Sequence, residues 1–379
     1  MRIVFDASPC VRHMTGIGTY AKELIRHLLT FDTENNYTVF FVQSPFQRRR
    51  LYFPKTPQKK VLYKSITAPY GLMKYLWNSL NICPIEFITG SADIVHSVDR
   101  ISPKTKKAKI VTTMLDMIWY DSEFINNKEG TAAFRQIMDT MKRSSGVITC
   151  SDFSKYEILN KFNFLKDKIH VIPLGVSDRY RVIEKNELNY RYDNRYPWKE
   201  FILYVGLLDE KRKNVERIVS AYAKLKKESK IKEKLLLLGK FFRPSPELTA
   251  LIKRINLPDD IILYTKWLPD EDMPLIYNKA KLVLLPSLYE GFGLPVIESF
   301  ACGTPVITSN ISPMKEIAQD AALLVNPEDE EELAGSIENI LSDDVLYNEL
   351  VKKGLERRKN FNWEKTACET IRVYESCFK

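Results

Sequence analysis

No run of about 18 apolar residues occurs in the 379-residue chain, so no transmembrane helix is expected. Met1 to Asp6 places an acid where a signal peptide needs its apolar core, so the expectation is a cytoplasmic protein. The six cysteines, at 10, 83, 150, 302, 368 and 377, contain no Cys-x-x-Cys pair. That spacing argues against a zinc site and against a disulfide framework. Histidine is scarce, and the four present, at 13, 27, 96 and 170, include no pair spaced as metal ligands. No Asp-x-Asp metal motif lies in a loop suited to one. Neither a metal nor a cofactor is therefore expected.

What the chain does have is length for two domains and a basic balance. Its 45% hydrophobic and 28% charged content is that of a soluble globular protein. The net charge is +9. That fits nucleic acid, an anionic small ligand or an anionic membrane surface. The excess concentrates in 47–53 and 59–64, where Arg48, Arg49, Arg50, Lys59 and Lys60 mix with Tyr and Phe. The large apolar side chains of 70–80 follow. The stretch 47–80 suits the headgroup boundary of an anionic bilayer. A solvated loop followed by a core-packed helix is the competing reading.

Short apolar runs alternate with helical periodicity along the whole chain, which predicts parallel α/β sheets. Strands are expected at 2–7, 37–42, 92–96, 109–115, 146–150 and 168–173. Ser151 opens a helix with a hydroxyl cap. Gly16 and Gly18 form a glycine loop after the first strand, but the third glycine of a dinucleotide fingerprint is missing. Residues 178–200 turn polar and charged and are read as a linker. A second set of strands then follows at 201–206, 234–239, 261–264, 281–286 and 305–308. Two doubly wound halves would hold a ligand in the crevice between them. The domains are read as 1–180 and 181–362.

The most specific segment runs from Glu290 to Glu298. Two carboxylates, with seven residues between them, bracket Gly291, Phe292, Gly293, Leu294 and a proline. An apolar strand precedes the turn and a helix with proline in its first turn follows it. Free backbone N–H groups and the helix dipole make such a turn an anion site. A second cationic segment, Lys211-Arg212-Lys213-Asn214, follows the strand at 201–206 directly. Arg supplies a planar fork and Lys a point charge for a diphosphate; a solvated turn is the bland alternative.

These two segments, with the Ala-Cys-Gly-Thr-Pro-Val run ending at Val306, resemble the donor site of family 4 glycosyltransferases with the GT-B fold. The resemblance implies an α/β GT-B fold of two Rossmann-like domains, facing across a cleft, with a last helix at about 363–379 that packs back on the first. The N-terminal domain would bind the acceptor and the C-terminal domain a nucleotide-sugar donor. Glu290 would contact the donor sugar, and Glu298 the ribose hydroxyls. Arg212 and Lys213 would neutralise the departing diphosphate. Gly16 and Gly18 would approach donor phosphates or acceptor. Asp116 would orient an acceptor hydroxyl or cap the next turn. His96 is a candidate sugar contact, though a strand-end histidine is more often structural. Lys240 and Trp267 would lie near the base.

Two positions depart from the family pattern. Leu115 stands where many members have histidine, and Leu207 where many have a second arginine. The implied activity is retaining, metal-independent sugar transfer. The Thr-Gly-Ile-Gly form of the loop resembles bacterial O-antigen and capsule enzymes, often mannosyltransferases. That points to GDP-mannose as donor and to a glycan or lipid-linked oligosaccharide as acceptor, with the enzyme peripheral on the inner face of the cell membrane. A nucleotide-sugar-binding protein without transfer activity, a GT-B epimerase and a nucleic-acid-binding module stay open as alternatives.

Overall fold

The computed structural model describes residues 1–12, 16–43, 61–78, 82–98, 101–118, 127–209, 211–241, 245–266, 268–311 and 313–379. Arg48 to Arg50, Lys59, Lys60 and Trp267 lie outside the described residues. The chain divides into two units, Met1–Gly175 with Asn362–Lys379, and Val176–Phe361.

The first unit is built on a seven-stranded sheet in the order β3-β2-β1-β4-β5-β6-β7. Its strands are β1 (Arg2–Asp6), β2 (Asn36–Gln43), β3 (Leu62–Thr67), β4 (Ile94–Ser97), β5 (Lys109–Thr113), β6 (Ser144–Thr149) and β7 (Ile169–Val171). Every pairing is parallel. β1 and β4 are buried almost throughout, as strands covered on both faces must be. β3 was absent from the sequence reading. All but one of its residues are exposed at the sheet edge, so it has no apolar run to announce it.

Gly16 and Gly18 do not form a loop. They occupy the first turn of the helix Gly16–Phe31, where Gly18 is buried and its carbonyl lies 3.7 Å from the Cys10 sulfur. The helix that follows β3, Tyr70–Asn78, is amphipathic. Met73 and Trp77 enter a core with Val4, Phe40 and Val95, while Leu72 and Tyr75 are exposed. Ser151 accepts a hydrogen bond from the Ser154 N–H and caps the helix Asp152–Lys161.

The last helix, Trp363–Phe378, belongs to the first unit and packs along the helix Gly16–Phe31. Trp363 is buried, and its ring lies 6.0 Å from those of Tyr20 and His27. The backbone of Trp363 also presses on Gly175, where a Cβ would meet it at 2.3 Å. Only glycine fits there.

The second unit carries a six-stranded parallel sheet, β10-β9-β8-β11-β12-β13. Its strands are β8 (Phe201–Leu207), β9 (Lys234–Lys240), β10 (Ile261–Tyr264), β11 (Leu282–Leu285), β12 (Val306–Ser309) and β13 (Leu323–Val325). The region read as a linker is structured. Residues 185–193 form a helix that buries Leu188 and Tyr192 and packs on the helix Met273–Lys279. Its Lys, Asn, Glu and Arg residues face outward, which made it read as loop. Strand order reverses between β8 and β11: β9 and β10 lie on one side, β12 and β13 on the other. Such a switch point leaves an opening beyond the strand C-termini.

Trp363→Ala is expected to cost about 3–5 kcal/mol, the scale of emptying a buried tryptophan site. Hydrogen exchange should speed up in β1 and β4 and stay unchanged in β8 and β9. Equal acceleration in both sheets would mean that Trp363 does not act through the core of the first unit.

Candidate functional site

The two loops that leave β8 and β11 at the switch point hold Arg212, Lys213 and Glu290, three of the side chains singled out by sequence. After β8 the chain makes a single tight turn, Lys211–Lys213, before the helix Val215–Lys227. Asn214 between them is left-handed, at φ 59°, a conformation that asparagine tolerates. It is also a clamp. Its buried amide nitrogen donates to Pro286 O at 2.9 Å and to Pro327 O at 2.6 Å, and its Oδ1 accepts from Arg217 at 2.6 Å. The Arg212 carbonyl accepts from Leu288 N at 2.7 Å. The cationic turn is thus tied to the end of β11 by backbone and side chain together.

The other loop delivers Glu290, which is 8% exposed. Its carboxylate pairs with the Lys213 ammonium and, at 3.2 Å, with the Arg212 guanidinium. Ser287 donates to it at 2.9 Å, and Arg212 also donates to Tyr289 O at 3.3 Å. Burial alone would raise the Glu290 carboxyl; the Lys213 and Arg212 charges outweigh that and hold it below its ordinary value. The site therefore carries two cations, and Glu290 supplies the anion that lets them stay desolvated.

The helix Leu294–Cys302 begins next to this cluster, with proline in its first turn. Gly293, its N-cap, sits at φ 97°, and a Cβ there would meet the Met314 methyl at 2.5 Å. Glycine is required on both counts. Phe292 is buried edge-on to Phe361, with centroids 5.8 Å apart. Val296 N–H bonds back to Gly293 O at 2.9 Å and Pro295 has no N–H, so the N–H groups of Gly293 and Leu294 are the ones that would stabilise an anion there.

Glu298 projects from the second turn of that helix into a different environment. Tyr277 Oη donates to its Oε2 at 2.8 Å, and the Tyr180 hydroxyl bonds the same carboxyl. Burial pushes this carboxyl up to about 7, although the two tyrosines and Arg179 favour the charged form. Arg179 faces Asp270 at 3.9 Å. Neither tyrosine was singled out by sequence. Tyr277 sits on another helix, and only the fold brings it within reach.

Asp116 and the two N-terminal glycines lie in the first unit. Asp116 follows β5 half-buried and accepts from the Ile118 N–H at 3.3 Å, which caps the turn. The Leu115 carbonyl accepts from Ser154 Oγ at 2.9 Å. His96 is not placed for a sugar. It is 0% exposed, and its two ring nitrogens pair with Tyr374 Oη at 2.6 Å and Thr113 Oγ1 at 2.8 Å. Burial pushes its pKa down to about 3, so it stays neutral. Leu207 ends β8 half-buried and Lys240 ends β9 exposed. Among the described residues, no three His, Cys, Asp or Glu side chains gather as metal ligands.

Two family descriptions match the chain in succession: Glycosyltransferase Family 4 over residues 14–180, and glycosyl transferases group 1 over 191–357. The O-antigen chain mannosyltransferase B of Escherichia coli is 28% identical over 99% of this chain and 100% of its own length. The O-antigen chain mannosyltransferase RfbU of Salmonella typhimurium is 26% identical over 70% of this chain and 68% of its own. Among solved structures, a sucrose-phosphate synthase from Thermosynechococcus elongatus superposes with a TM-score of 0.77 at 20% identity, covering 100% of this chain and 99% of its own. That last likeness is one of fold.

The two glutamates should give stability opposite pH dependences. For Glu290, lowered from 4.5, the contribution is present above that value and lost as pH falls through the folded one. For Glu298, raised from 4.5 to about 7, it is present below 4.5 and lost as pH rises through about 7. Glu298→Gln should therefore gain on the wild type by about 1–2 kcal/mol between pH 5 and pH 8 in urea unfolding, part of the full shift being discounted for solvent screening. Glu290→Gln should be less stable at neutral pH and flatter on the acid side. A constant offset for Glu298→Gln across this range would sink the burial account.

Proposed function

This chain belongs to the family 4 glycosyltransferases with the GT-B fold, and from that premise we propose a retaining, metal-independent sugar transferase of polysaccharide biosynthesis. It moves a hexose from a nucleotide-sugar donor to a hydroxyl of a glycan or lipid-linked oligosaccharide. Mannose from GDP-mannose is the donor we favour, because the E. coli relative that matches the whole chain is named a mannosyltransferase.

The observation that carries the reading is the pairing of Glu290 with Lys213 and Arg212 beside the N-terminus of the helix Leu294–Cys302. Departure of a nucleoside diphosphate builds negative charge on the β-phosphate. Lys213, Arg212 and the N–H groups at Gly293 and Leu294 are fixed donors for that charge and need no reorganisation as it develops. Glu290 has acceptor capacity for donor-sugar hydroxyls, and Glu298 for the ribose. The acceptor attacks from the face the leaving group vacates, and a phosphate oxygen takes its proton. We assign acceptor binding to the N-terminal unit, with Asp116, Gly16 and Gly18 as its candidate contacts.

A peripheral position on an anionic membrane is the second part of the proposal. Leu62, Tyr63, Leu72, Tyr75, Ile82 and Phe87 are all exposed in the segment after the basic stretch, between 43% and 67%. Lys106 lies 3.8 Å over the Phe87 ring. Cations beside exposed aromatics suit a charged headgroup layer. Among the described residues, no helix is long and apolar enough to cross a membrane.

Nucleotides and nucleotide sugars screened by thermal shift, with and without EDTA, test the donor assignment. One base class should stabilise the protein, by about 2.7 kcal/mol at a hundred times its Kd, and EDTA should change nothing. Glu290→Gln and Lys213→Ala should each lower turnover at least about tenfold, the scale of 1.4 kcal/mol of lost transition-state contact. Normal turnover in both removes the donor-site assignment. Donor binding without any glycoside product would favour a chain that has lost transfer, for which Leu115 and Leu207 are the departures to reverse first. Replacing Arg48, Arg49 and Arg50 by glutamine should weaken partitioning onto phosphatidylglycerol vesicles. Unchanged partitioning returns that stretch to a solvated loop.

A further inference from the structure

We infer that Tyr277 and Tyr180 are positioning residues for Glu298, setting its carboxylate to accept both hydroxyls of a vicinal diol. The inference rests on the assignment of Glu298 to the donor ribose made above. It adds how that carboxylate is aimed and which side chains set its selectivity.

A carboxylate has two oxygens and about four directions in which it accepts hydrogen bonds. Tyr277 Oη takes one of them, on Oε2, at 2.8 Å, and the Tyr180 hydroxyl bonds the same carboxyl. Two directions remain for a ligand, and a cis-diol supplies two O–H donors at matching separation. Neither tyrosine is free to move away. Tyr277 is 0% exposed, and its backbone carbonyl is held by Thr304 Oγ1 at 2.7 Å. Its ring meets that of Tyr180 edge-on, with centroids 5.7 Å apart. A buried hydroxyl that donates to Glu298 cannot turn to water, so the tyrosines hold one rotamer of a flexible side chain. Glu298 is itself only partly covered, which leaves its outer face to the ligand.

The competing account makes Glu298 merely the partner that a buried tyrosine hydroxyl needs. The two accounts differ in what phenylalanine does. If the hydroxyls only need satisfying, removing one changes stability and leaves ligand selectivity alone. If they aim the carboxylate, removing one erodes the preference for ribose over deoxyribose.

The test is calorimetric titration of the wild type, Tyr277→Phe and Tyr180→Phe with GDP and with UDP, each against its 2′-deoxy analogue. Phenylalanine preserves the ring packing, and the two variants sit on different segments, so one folding failure does not remove the test. The wild type should prefer the ribonucleotide by about tenfold or more, the scale of a hydrogen bond to a charged acceptor. In each variant that ratio should fall to within about threefold, by loss of ribonucleotide affinity and with the deoxynucleotide affinity unchanged. Undiminished preference in both variants overturns the positioning role and leaves the ribose assignment standing. Absence of any preference in a wild type that binds both nucleotides overturns the ribose assignment, and the positioning role with it.

Discussion

The second unit is organised around one electrostatic constraint: two cations held out of water beside a single carboxylate. Lys213 and Arg212 are mostly buried, at 12% and 18% side-chain exposure. Either one alone would be costly to desolvate, and Glu290 removes that cost by accepting from both. Everything nearby fixes the geometry of this triad. Asn214 pins the cationic turn to the carbonyls of Pro286 and Pro327. Ser287 takes a third direction of the carboxylate, and its own carbonyl is held by Ser309 at 2.8 Å from β12. The network spans β8, β11 and β12, so the reversal of strand order and the charge cluster are one feature seen at two scales. The same geometry explains why Gly293 cannot vary: the helix must start at this point, and Met314 fills the space a side chain would need.

The two glutamates show how environment separates identical chemistry. Glu290 is buried and Glu298 partly covered, and both lose hydration. Glu290 meets two cations that hold its carboxyl below the ordinary value, whereas burial pushes Glu298, which meets two tyrosine hydroxyls and the more distant Arg179 charge, up to about 7. A carboxylate held in its charged form suits a place next to Lys213 and Arg212, where its protonation would leave them unpaired. One near its titration point suits a neutral diol, since ligand hydroxyls supply the donors that favour its charged form. On this view binding of a diol draws Glu298 toward the carboxylate, and the two positions were never interchangeable despite their shared residue type.

Much of this was readable in the residues, for definite reasons. Buried parallel strands leave apolar runs, so β8, β9 and β11 were placed within a residue or two. Glu290, Arg212 and Lys213 stood out because loops after central strands carry polar side chains that packing does not demand, and Glu298 stood out by its spacing from Glu290. Edge elements were not visible. β3 and β13 bury too little to leave a pattern, and the helix Lys185–Asp193 hides two buried residues among charges. Gly16 and Gly18 were misplaced because a glycine pair reads as a turn, while here both begin a helix. His96 read as a candidate because strand ends carry function, and only the structure shows both nitrogens engaged. Asn214, Tyr180 and Tyr277 were missed for a common reason. Their roles exist through partners distant in sequence, and no spacing within one segment reports such contacts.

If the cluster takes a diphosphate as proposed, the triad would also set the order of events there. Glu290 holds both of the cations that a diphosphate would need. A diphosphate brings its own negative charge, so the cations can share it without being exposed, and the Coulomb term that binds them to Glu290 is partly replaced. Glu290 then has acceptor directions to spare for sugar hydroxyls at the moment the donor arrives. On the proposed assignment the carboxylate would take the cations back once the diphosphate has left. It would serve, on that assignment, as the counterion of a doubly cationic pocket between turnovers, and the return of the ion pairs would favour product release. A glutamate fits this alternation better than a neutral acceptor of the same shape. Glutamine could receive the sugar hydroxyls, but it would leave Lys213 and Arg212 uncompensated whenever the phosphate is absent.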